Sequence, residues 1–103
     1  MKKEQKKNTT ITNTLKGTIT ARVIDYVNGI KVIQNIKAVR IQSKGYVLLI
    51  MEDYAPTLGR IEGKIVFLTD NEEYVYENVN GFYKHQYNEF TVLIEQENTE
   101  SEG

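Results

Sequence analysis

Few residues in this chain could do chemistry, and their spacing argues against most of it. His85 is the only histidine, so no histidine cluster can hold a metal, and an acid–base role would need a carboxylate that the sequence does not place beside it. The expectation for His85 is a strand residue exposed on one face. Cysteine is absent, which excludes a disulfide framework and a thiolate site and is compatible with a reducing cytosol. Glu52 and Asp53 are adjacent acids at the end of an apolar run. Neighbours in a strand point to opposite faces, so a turn is expected there rather than a catalytic dyad. The stretch Gly59 to Ile65 has the outline of a phosphate loop, but one residue too few separates its glycines and Ile65 stands where a magnesium-binding hydroxyl belongs. Bending at the glycines is the expectation instead. Neither an enzyme nor a cofactor is expected.

Aromatic residues offer one more chemistry. Tyr74, Tyr76, Tyr83 and Tyr87, with Lys84 among them, could stack single-stranded bases. A net charge of −1 and no basic stripe in the central region weigh against nucleic acid, and cross-strand aromatic packing accounts for the same alternation. Charge gathers at the ends instead, basic in Lys2, Lys3, Lys6, Lys7 and Lys16, acidic in Glu95, Glu97, Glu100 and Glu102. Solvated tails are expected at both. The polar, Thr-rich stretch from Asn8 to Thr14 gives neither a signal peptide nor a membrane span, and Asn8-Thr9-Thr10 is read as a chance glycosylation match.

The elements that must carry these residues read as strands. The chain has 103 residues, and its apolar 40% is mostly Ile, Val, Leu and Tyr, types that pack well on a pleated sheet. A flexible segment over 1–17, one β domain over 18–95 and a disordered acidic tail over 96–103 are expected. Ile19, Ala21 and Val23 alternate with Thr20 and Arg22 as in a half-buried strand. Asn28-Gly29 suggests a type I′ hairpin with a return strand over Ile30 to Ile33. Ile36 to Ile41 is a further strand, with Ile36 and Ala38 on one face and Val39 and Ile41 on the other. Ser43-Lys44-Gly45 is a turn. Tyr46 to Met51, an unbroken apolar run, is expected to be a central strand buried on both faces. Pro56, the only proline, stops strand pairing. Lys64 to Thr69 resumes as a strand, Asp70 to Glu73 turns, and Tyr74 to Val79 alternates again. Asn80-Gly81 is read as a second hairpin turn, Phe82 to His85 as another strand, Gln86 to Glu89 as a turn and Phe90 to Ile94 as the last strand. Eight or nine short antiparallel strands without a long helix point to a small sandwich or barrel.

Two stretches resemble a known family. Leu48 to Ile65 is similar to the part of the F-type ATP synthase epsilon subunit (delta in mitochondria) where a strand ends in a His-Ala-Pro turn and continues to a glycine. Tyr54-Ala55-Pro56 and Gly63 hold those positions. Gly81-Phe82 through Asn88-Glu89-Phe90-Thr91-Val92-Leu93 resembles that domain's Gly-Gly-Phe to Asn-x-x-Thr-Val-Leu ending. The resemblance implies the epsilon-type β-sandwich, without the helical hairpin that follows it in the family. It also implies a non-enzymatic role that attaches the central stalk to the membrane ring and packs on the gamma subunit. The partner-binding positions so implied are Lys44, Gly45, Tyr46, Asp53, Tyr54, Pro56 and Phe82, in a cytoplasmic protein peripheral to the membrane through its complex. The alternatives are a small adaptor or immunity-type protein binding one partner by a sheet face or edge, and an oligonucleotide-binding barrel.

Overall fold

The computed structural model describes residues 17–95. The expected basic lead-in, apart from Gly17, and the acidic tail lie outside them, as does Asn8-Thr9-Thr10. No helix occurs among the described residues, which form six strands: β1 (Ile19–Asp25), β2 (Gly29–Ser43), β3 (Tyr46–Met51), β4 (Thr57–Thr69), β5 (Glu73–Gln86) and β6 (Glu89–Ile94). All belong to one sheet in the order β1-β6-β5-β4-β2-β3, and β1 also pairs with β2. The sheet therefore closes as a five-stranded barrel, with β3 appended beyond it. Five successive strands that alternate in direction leave the first and last pointing the same way, so the closing pair of β1 and β6 is parallel. The expected eight or nine strands become six, and one pair departs from the antiparallel rule.

Fewer strands result because three expected breaks are bends within long strands. Asn35 takes a positive φ of 62°, and the β1–β2 register slips across it. This bulge lets Ile33 and Ile36 both face inward, and it joins two expected strands into one. A further slip against β4 between Ile36 and Ala38 puts Val39 and Ile41 inside with Ile36, where strict alternation places them opposite. Asn78, with φ of 56°, does the same for β5. Asn80-Gly81 is no hairpin: Gly81 lies within β5, between Ile61 of β4 and Ile94 of β6. A side chain at Gly81 would overlap the Leu93 carbonyl oxygen, so glycine serves the close approach of a strongly coiled sheet rather than a turn. Gly63 has the same role against the Gln42 carbonyl.

The turns themselves are redistributed. Type I′ geometry belongs to Tyr87-Asn88, both with positive φ (54° and 59°), rather than to an Asn-Gly pair. At Asn28-Gly29 the hairpin is present, but only Gly29 has positive φ, at 83°. Its three-residue loop is held by Asp25, whose carboxylate accepts from the Val27 amide and the Asn28 side chain, both at 2.9 Å. Those bonds hold the Asp25 carboxyl below its ordinary value. Gly45, with φ of 94°, makes the expected turn between β2 and β3.

Inside the barrel, Ile19, Ala21 and Val23 of β1 meet Ile33, Ile36, Val39 and Ile41 of β2, Ile61, Ile65 and Phe67 of β4, Val79 and Tyr83 of β5, and Phe90 and Val92 of β6. Phe90 stacks on Tyr83 at 5.5 Å and meets Phe67 edge-on at 5.7 Å, and Phe67 meets Tyr76 at 5.8 Å. The tyrosines thus pack across strands, as their alternation suggests; Tyr87 stands apart, exposed at its turn.

Candidate protein-interaction surface

β3 is not the centre of the core. It ends the sheet, and its six apolar residues divide by parity. Tyr46, Leu48 and Ile50 face the interior, Ile50 fully buried, while Val47, Leu49 and Met51 are 70%, 47% and 52% exposed. The expectation of burial on both faces fails because a strand appended outside a closed barrel has only one covered side.

Pairing register extends the exposed row across the sheet. Leu49 lies opposite Arg40 of β2, Arg40 opposite Val66 of β4, and Val66 opposite Val75 of β5. Beside this row run Met51, Ala38 and Leu68, and on the other side Val47, Gln42 and Lys64. Opposed residues of antiparallel strands share a face, so these form one outer surface, apolar around Arg40 at its centre, with Gln42 and Lys64 along one side. Val66 and Ala38 are already buried within it, whereas Val75 is 46% exposed. Arg40 keeps a half-buried side chain there, and its Nε is buried without a hydrogen-bond partner.

Six of the seven positions implied by the resemblance flank β3, at its two ends. Lys44 and Gly45 form the hairpin before it. Tyr46 opens the strand, donates its hydroxyl to the Arg60 carbonyl, and has its phenol pushed up by burial. At the far end the Tyr54 amide donates to the Met51 carbonyl at 3.1 Å, and Asp53 adopts a positive φ of 64°. Glu52 and Asp53 therefore make the expected turn. Asp53 is also fastened to the β5–β6 turn, its amide 2.7 Å from Asn88 Oδ1 and its carboxylate accepting from Asn88 Nδ2 at 3.2 Å. Tyr54 and Pro56 are exposed in the connection that follows. Phe82 lies elsewhere, on the outer face of β5 between Arg60 and Leu93, with the Arg60 guanidinium 5.2 Å from its ring.

Several residues were not expected at this surface. Arg40, Val66 and Val75 carry an alternation like that of any half-buried strand, and only the register against β3 makes them one patch. His85 is corrected as well. It is fully buried, beside Phe90, with both ring nitrogens lacking a hydrogen-bond partner, and desolvation holds its pKa below the ordinary 6.5. The glycine stretch from Gly59 to Ile65 lies in β4 and forms no loop. Among the described residues no three His, Cys, Asp or Glu side chains converge as a metal site, and no helix is long and apolar enough to cross a membrane. No protein-family model matches the chain, and no curated protein matches its sequence.

Proposed function

We propose that this protein is a non-enzymatic protein-interaction domain that binds through β3 and the outer face it shares with β2 and β4. The observation that carries this reading is the exposed row Val47, Leu49 and Met51 on a strand that ends its sheet. Contiguous apolar surface on a small domain marks a contact with another protein more often than a tolerated accident, and an edge strand offers main-chain groups as well. Arg40 adds a polar anchor within that surface, since its buried Nε lacks an acceptor. A partner suited to it presents apolar side chains and one carboxylate.

The stalk role implied by the epsilon resemblance is the narrower form of the same reading. It rests on Leu48 to Ile65 and Gly81 to Leu93, and β3 with its two flanking turns holds six of the positions it implies.

The test is affinity capture with the intact chain and with a Val47→Lys, Leu49→Lys variant, which changes two exposed side chains and is expected to keep its strand signal in circular dichroism. A partner retained by the wild type and lost by the variant supports the reading, and gamma, alpha and beta subunits in that set support the stalk form. Identical partner sets from both proteins would overturn the assignment to β3.

A further inference from the structure

A strand that ends a sheet leaves every second amide and carbonyl without a ladder partner. In β3 these groups can be assigned. The two-residue loop Lys44-Gly45 makes Ser43 and Tyr46 the hydrogen-bonded pair next to the turn. Bonded and non-bonded pairs then alternate, so Tyr46, Leu48 and Ile50 turn their amides toward β2, and Val47, Leu49 and Met51 turn theirs toward the open edge. Among the described residues, that edge has none of the usual devices that keep sheets apart. It carries no charge and no proline, and its register against β2 runs without a bulge.

We propose that the open edge of β3 pairs with β3 of a second copy of this chain, antiparallel about a two-fold axis at Leu49, so that two barrels share one continuous sheet. The proposal rests on the reading of β3 as an interaction strand and names its occupant. The sequence of the strand is self-complementary in this register. Leu49 faces Leu49, Val47 faces Met51 and Leu48 faces Ile50, so outer side chains meet outer ones and inner meet inner. A slip of one residue would set the exposed row against the core row.

Charge selects the same arrangement. Lys44 precedes the strand, and Glu52 and Asp53 follow it. Antiparallel pairing brings the basic end of each copy to the acidic end of the other, whereas parallel pairing would place like charges together. The Lys44 side chain is 84% exposed and, among the described residues, meets Glu62 at the outer limit of an ion pair, 3.8 Å, a contact loose enough to let it reach across. A two-fold contact uses both edges at once and closes, giving a dimer rather than a fibre.

Sedimentation velocity on the 103-residue chain, from low to high micromolar concentration, is expected to show a monomer–dimer equilibrium. Leu49→Pro removes a donor that points to the open edge, so it is expected to leave the strand signal unchanged and the protein monomeric. Lys44→Glu is expected to weaken the dimer by about tenfold, and adding Glu52→Lys to restore it. The chain has no cysteine of its own, so Leu49→Cys reports directly: a bonded antiparallel pair sets its Cα atoms about 5.5 Å apart, within disulfide reach. Oxidation should link Leu49→Cys into dimers and leave a Leu58→Cys control unlinked. If Leu49→Pro does not fold, the charge and cysteine variants decide. A monomer at every concentration overturns the proposal, as does a dimer indifferent to Lys44→Glu and Leu49→Cys oxidation. A monomer that still captures a different partner through β3 overturns this pairing and leaves the interaction reading standing.

Discussion

His85 brings two ring nitrogens into an interior otherwise lined almost wholly by aliphatic and aromatic groups. Neither nitrogen has a partner, so the neutral ring already pays a desolvation cost and the charged ring would cost more. The sign of its pH effect follows. With the folded pKa below the ordinary 6.5, the unfolded chain takes up a proton first as pH falls, and stability is present above that value and lost below it. Urea unfolding is therefore expected to show stability falling as pH drops below about 6.5, by at most about 1.4 kcal/mol per pH unit, the limit for one proton. His85→Leu should remove that part of the slope and leave stability at neutral pH equal or higher; an unchanged slope would assign it to other groups. The sequence could not reveal this, because the inward or outward sense of a strand position depends on bulges upstream, here at Asn78. Glu52 and Asp53 were legible for the opposite reason. A turn next to the only proline is decided by residues that are neighbours in the chain.

At the scale of elements, the same asymmetry explains which boundaries were readable. Strand existence followed from alternation, and β1, β3 and β6 begin and end close to where composition places them. Continuity did not follow, because an Asn or Gly within a long coiled strand has the composition of a turn. Gly81 tests the distinction. Within β5 its missing side chain makes room for the Leu93 carbonyl, so Gly81→Ala is expected to destabilise the fold by about 1–3 kcal/mol through overpacking, measured by chemical denaturation. A glycine in an exposed hairpin turn would cost less and would leave the β5–β6 pairing intact. The outer apolar surface was half legible. The run from Tyr46 to Met51 announced that both its faces seek apolar contact, but not that the second contact lies outside the barrel.

For the whole molecule, closure was the least legible feature, since pairing between the first and last strands leaves no mark in either. It also separates this barrel from the nucleic-acid reading only by its surface. A net charge of −1 and a Phe82 ring already covered by Arg60 give little for a phosphate backbone to find. Gel retardation with single-stranded oligonucleotides at low salt is therefore expected to show no complex; a shift that weakens as salt is added would restore that reading.

The seam between β1 and β6 has a further consequence for how the protein comes into being. On the ribosome, β1 emerges before the other five strands and its parallel partner β6 after them, so the sheet cannot close until β6 emerges. Pairing between strands so far apart in sequence is slow to form, and until β6 docks Ala21 and Val23 lack their neighbours Phe90 and Val92. The barrel therefore closes only once β6 is available, with that strand acting as the clasp.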